Sequence, residues 1–156
     1  MSPKEITAPK TYYEWMKLLN QLEEGNDDQE LLSAMKSGSI SWQTGVAERF
    51  VANLGKVINH RLNAAIDRFQ EEMRKSRGAE RQLVNALLQL RRELIFLQNV
   101  VSIPAIPEEQ RQKCVELVRD QADSIQKQLE KSAKTERSGR LLCTIQNNRV
   151  NRLEEP

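Results

Sequence analysis

Between Ala79 and Val101 the chain reads AERQLVNALLQLRRELIFLQNVV, and this stretch decides the fold. Leu83, Leu87, Leu90, Leu94, Leu97 and Val101 recur at alternating steps of four and three. That spacing keeps one face of an α-helix apolar, whereas a strand would need alternation of period two. The seam covers under three heptads, short of the roughly three to four that argue for a coiled coil. Val84, Leu88, Ile95 and Val100 lie off the seam and widen the apolar face, as suits a helix touched by several neighbours. The same six seam residues are also the candidate self-association surface of a homodimer. The width of the face favours a core helix over a zipper.

Upstream, the chain from about Trp42 to Ser76 has no proline. Its apolar residues are Val46, Phe50, Leu54, Val57, Ile58, Leu62, Ala65, Ile66, Phe69 and Met73, mostly four apart. Each four-residue step advances the stripe by about 40° around a helix. The stripe therefore winds, and different partners are expected to cover its halves, with the change near Val57 and Ile58. The alternative is a bend near Gly55. Two shorter helices precede it. Thr11 and Glu14 form a capping box ahead of Trp15, Leu18, Leu19 and Leu22, and Gly25-Asn26 ends that helix. Asp28 is placed to cap a second helix carrying Leu31, Leu32 and Met35, with Gly38 as its left-handed stop. Ser39 or Ser41 can cap the long helix that follows. Trp15 and Trp42 are expected to pin these small helices rather than anchor a partner.

Downstream, Ser102 to Pro107 cannot continue a helix, because each proline lacks an amide hydrogen and clashes with the preceding turn. Pro107 suits the first turn of the next helix, with Glu108 and Glu109 favourable against its dipole. That helix uses Cys114, Val118, Ala122, Ile125 and Leu129, with Leu117 on the flank. Ser138-Gly139 breaks the pattern. Leu141, Leu142, Ile145, Val150 and Leu153 then predict a short terminal helix, weakened by Asn147-Asn148. The expected fold is all-α: a single bundle of five or six helices, with two long central helices at about 42–76 and 79–101. Residues 1–10 are expected to be a flexible arm, 11–134 the bundle, and 135–156 a basic arm docked on it as a short helix.

Composition agrees with this class. The 156 residues are 29% charged and 38% hydrophobic, a globular and not a fibrous or disordered balance. Cys114 and Cys143 fit no zinc spacing, and one histidine, His60, cannot complete a site. They are expected to be free thiols of the core in a reducing compartment. The chain opens without the apolar run of a signal peptide and has no stretch of ~20 apolar residues, so a cytoplasmic protein with no membrane partner is expected.

Catalytic patterns are missing. There is no GxGxxG, no GxxxxGK[ST] and no EF-hand loop. No Glu lies three residues before His60 to build a Glu-x-x-His metal motif. A catalytic pairing of His60 with either cysteine would need a third group and a pocket. No enzyme activity, cofactor or metal is expected.

Charge is the informative feature. The net charge is +2, yet residues 1–40 hold four Lys and seven acids, while Lys131 to Leu153 hold six Lys or Arg and a single acid, Glu136. Lys131, Lys134, Arg137, Arg140, Arg149 and Arg152 recur at steps of three within two runs, with Asn147, Asn148 and Asn151 interleaved. Such cations neutralise phosphates, and Arg and Asn also read base edges. No aromatic accompanies them to stack on single-stranded bases, and cations also suit a helix C-terminus. A second cluster, Arg74, Lys75, Arg77 and Arg81, sits at the turn between the helices at 42–76 and 79–101. The function expected from this balance is a non-enzymatic protein-interaction module, an adaptor or regulatory subunit. The alternative is a nucleic-acid-associated protein using the basic C-terminal arm.

Overall fold

The structure is a computed structural model, and it describes residues 6–40, 45–76 and 79–154. The fold is an all-α bundle. Its helices are α1 (Tyr12–Glu24), α2 (Asp28–Lys36), α3 (Val46–Ser76), α4 (Glu80–Val101), α5 (Glu108–Thr135) and α6 (Gly139–Asn147). No strand occurs among the described residues. At 28 residues α5 joins the 31-residue α3 and the 22-residue α4 as a long helix. Trp42, Ser41 and Arg77 lie outside the described residues.

The chain forms two compact units: residues 1–61 with 99–115, and residues 62–98 with 116–156. α3, α4 and α5 each contribute to both.

In the first unit, Thr11 caps α1 by accepting from the Glu14 amide at 3.2 Å, and its hydroxyl donates to the Glu14 carboxylate. Gly25 ends α1 at φ 82°, a left-handed position that glycine takes without steric cost. Trp15 is fully buried, meets Phe50 edge-on with centroids 5.3 Å apart, and donates from its indole nitrogen to the Ser39 carbonyl. Trp15 thus couples α1, α3 and the segment after α2.

Three local expectations are corrected here. Gly38 is not a left-handed stop, since among the described glycines positive φ falls at Gly25 and Gly45. Glycine is needed there because a Cβ would sit 2.7 Å from the Trp15 ring and 2.9 Å from the Pro9 ring. Asp28 does not cap α2. Asp27 holds that position at φ 59° with no side-chain cap, because the Asp28 carboxylate is taken by Arg61. The loose arm does not extend through residue 10: Pro9 is buried, and its carbonyl accepts from the Ser39 amide at 2.9 Å.

Arg61 is the buried polar group of this unit, only 7% exposed. Its guanidinium donates to both carboxylate oxygens of Asp28, at 2.9 and 2.7 Å, and to the Leu22 carbonyl at 3.0 Å. One side chain therefore gives a second donor to the Leu22 carbonyl, which also accepts from the Gly25 amide, and neutralises the acid that begins α2. In the connector after α4, Ile103 and Ile106 are buried and a turn joins them.

In the second unit the leucines of α4 form the core. Leu83, Leu87, Leu90, Leu94 and Leu97 are each at most 3% exposed, and Val101, in the first unit, is fully buried. The chain itself occupies its heptad face, so a dimer seam through these residues would have to open the core. Ser138 caps α6 by accepting from the Leu141 amide. The terminal segment is fastened by Gln126, which is 1% exposed. Its amide donates to the Ile145 carbonyl at 3.4 Å and its oxygen accepts from the Val150 amide at 3.0 Å. Val150 and Leu153 are buried.

Candidate functional site

The basic residues read from sequence do not lie on one helix, because α5 stops at Thr135. Arg137 turns left-handed at φ 54°. Its amide donates to the Lys134 carbonyl and the Ser138 amide to the Ala133 carbonyl, the paired bonds of a Schellman C-cap. Lys131 and Lys134 therefore project from α5, Arg137 from the corner, and Arg140 from the first turn of α6. All four are exposed. Among the described residues, no carboxylate lies within ion-pair distance of any of them. Lys127 extends this face by one helical turn and is also exposed. It was missed because Lys127 lies outside the acid-poor run, although its four-residue spacing to Lys131 was the available signal.

The remaining candidates divide. Arg149 is half-buried and donates to the Asn151 side chain, while its carbonyl accepts from Arg91. Asn151 in turn donates to Asp123. Asn147 donates to the Cys143 sulfur and Asn148 to the Thr144 carbonyl. The interleaved asparagines thus serve the helix end and the fastening of the terminus. Arg152 is exposed. In the second cluster, Arg74 and Lys75 both pair with Glu71, Arg81 is exposed, and Arg77 lies outside the described residues.

A groove of about 340 Å³ is lined by residues of α3, α4, α5 and α6. Met73 of α3, Leu83 of α4, Leu129 of α5 and Leu141 of α6 are among its lining residues. Those positions adjoin Arg74, Arg81, Lys131 and Arg140 within two residues in sequence. Ile66, Met73, Leu129 and Leu141 are all half-exposed in this lining. Glu136 is its charged member. Sequence patterning could not reveal this recess, since each of these residues reads as an ordinary core position on its own helix.

The other chemical candidates are placed plainly. His60 is exposed, with Nδ1 3.8 Å from Glu23. Cys114 is buried and Cys143 exposed, so only the first is a core thiol. Burial pushes the Cys114 thiol pKa up. In the first unit, a recess of about 520 Å³ is lined partly by Glu14, Lys17, Gln21, Glu24 and Asp27. Among the described residues, no three His, Cys, Asp or Glu side chains gather closely enough to hold a metal ion, and no helix is long and apolar enough to cross a membrane. No family model, curated protein or solved structure matches this chain.

Proposed function

We propose that this chain is a non-enzymatic protein-interaction module, an adaptor or regulatory subunit, whose contact surface is the basic corner where α5 gives way to α6. One observation carries the reading. Lys131, Lys134, Arg137 and Arg140 are exposed with no acid partner among the described residues, whereas Arg61, Arg74, Lys75 and Lys113 each have one. Unpaired cations on a fixed backbone raise the local potential and steer an acidic partner to the surface. A protein is favoured over nucleic acid because the asparagine amides beside these cations already donate within the chain, and no aromatic lies between Lys131 and Leu153 to stack on a base.

The test is affinity capture from the native host with the tagged chain, with and without nuclease. Wild type is expected to retain a protein that survives nuclease and is lost by the variant K131E/K134E/R137E/R140E. Loss on nuclease treatment would assign the surface to nucleic acid instead. In that case an oligonucleotide titration should show affinity falling steeply as salt rises. Equal capture by wild type and variant would remove the corner from the function.

A further inference from the structure

Residues 148–153 follow α6 and belong to no helix, yet two of them are built into the second unit. Val150 is fully buried and Leu153 is 7% exposed. Asn148, Arg149 and Asn151 are half-buried and Arg152 is exposed. Two aliphatic side chains three residues apart therefore carry the apolar attachment of this segment.

Its main chain is met by polar side chains of α4 and α5. Arg91 donates to the Arg149 carbonyl and Gln98 to the Leu153 carbonyl, both at 3.4 Å. Gln126 accepts from the Val150 amide at 3.0 Å. Arg91 and Gln98 stand seven residues apart and so share one face of α4. Asp123 and Gln126, three apart, share a face of α5, and Asp123 accepts from the Asn151 side chain at 2.9 Å. Arg119 of α5 donates to the Gln98 oxygen at 3.1 Å, which ties the two helix faces together. A recess of about 370 Å³, lined by Arg119 and Asp123 on one side and by residues from Asn151 to Glu154 on the other, shows that the segment is not close-packed on α5 along its whole length.

Main-chain bonds that hold a segment, with seats for particular side chains, are how proteins recognise short peptides. We infer that the face shared by α4 and α5 is a binding site for a short non-helical peptide with aliphatic side chains three apart, and that residues 148–153 are its ligand in cis. A partner segment of the same chemistry enters as this one leaves, so the site is closed to partners while the segment is seated. Local opening can free it while the leucines of α4 stay packed. The chain connection holds it at roughly millimolar effective concentration, so a free peptide competes poorly until the cis anchors are gone. This site does not depend on the basic corner.

The probe is a fluorescent peptide of residues 147–154, titrated by anisotropy against the full chain as wild type and as V150S/L153S. A control peptide carries serine at the same two positions. V150S/L153S is expected to keep native helicity by circular dichroism and to bind the probe at least tenfold more tightly than wild type does. The serine peptide should bind neither form, and adding Gln126→Met to V150S/L153S should weaken the probe at least tenfold. If V150S/L153S loses helicity, V150A/L153A replaces it with the same expectation. Loss of helicity in both would make the segment part of the core and overturn the proposal. Equal binding to wild type and variant, equal binding of the two peptides, or no binding to a folded variant would each overturn it too. A wild-type dimer that V150S/L153S makes monomeric in light scattering would seat the segment on a second copy and overturn its placement in cis.

Discussion

Arg61 in the first unit and the corner arginines in the second are used in opposite ways. In the first, Arg61 is buried and each of its described bonds closes a polar group at the meeting of α1, α2 and α3. In the second, Arg137 and Arg140 stand in solvent without an acid beside them among the described residues. A buried, paired cation cannot serve a partner, because withdrawing it would leave Asp28 without its counter-charge. An exposed, unpaired one contributes little to the fold and keeps its charge available. The contrast extends to packing. The first unit brings Gly38 against Trp15 and Pro9 with no room for a methyl group, while the second leaves a groove lined by half-exposed apolar side chains. Architecture dominates one region and availability the other.

Substitution at Arg61 gives the largest expected effect. Removing it leaves Asp28 without its counter-charge, so Arg61→Ala should destabilise by about 3 kcal/mol in urea denaturation. Arg61→Met with Asp28→Asn should lose much less, since neither charge then remains unpaired. A loss under 1 kcal/mol for Arg61→Ala would mean that the pair is not structural. Next comes Gly38→Ala, where the new Cβ must displace the buried Trp15 or Pro9 ring. It should cost about 1–3 kcal/mol by thermal melting. Gly55→Ala, with nothing within 4 Å of the new atom, should instead gain about 0.5–1 kcal/mol.

In the second unit the corner at Arg137 should also respond with a gain. Arg137 holds a left-handed conformation that glycine adopts without strain, so Arg137→Gly should raise stability by up to about 1 kcal/mol. The same change removes a cation, so partner capture should weaken as the melting temperature rises. A variant that gained both would break the separation between fold and surface. The smallest effect concerns the thiols. Cys143 is exposed and Cys114 buried, so one equivalent of Ellman's reagent should react in the native chain and two in denaturant. Because burial raises the Cys114 pKa, its stabilising share is complete below the ordinary thiol range. It declines as pH climbs through the raised value.

The helices were legible because leucine and valine spacing reports a face. The seam from Leu83 to Val101, the proline-bounded connector and the cap at Thr11 all follow from local rules. What escaped were polar residues on apolar stripes. Arg61 falls four after Val57 and four before Ala65, and Gln126 four after Ala122. Each reads as an interruption until its distant partners are known, and those lie 19 to 39 residues away. Gly38 was misjudged for a related reason: its constraint comes from Trp15 and Pro9 across the fold, not from its own backbone angle. For the site, the cations were legible as composition. Their division between two helices was not, because Arg137 at a left-handed stop is a position where glycine is usual. The groove was hidden entirely, being a product of four helices.

The carboxamide of Gln126 has one further consequence. It offers the main chain near the C-terminus a donor and an acceptor five residues apart, at Ile145 and Val150. An apolar side chain could hold that segment equally well after a slip of one residue. A paired amide cannot, since a shift in either direction would strand a polar atom away from water. Residues 148–153, which have no helix of their own, thereby gain a fixed alignment, with Gln126 acting as a latch beside the bonds from Arg91 and Asn151.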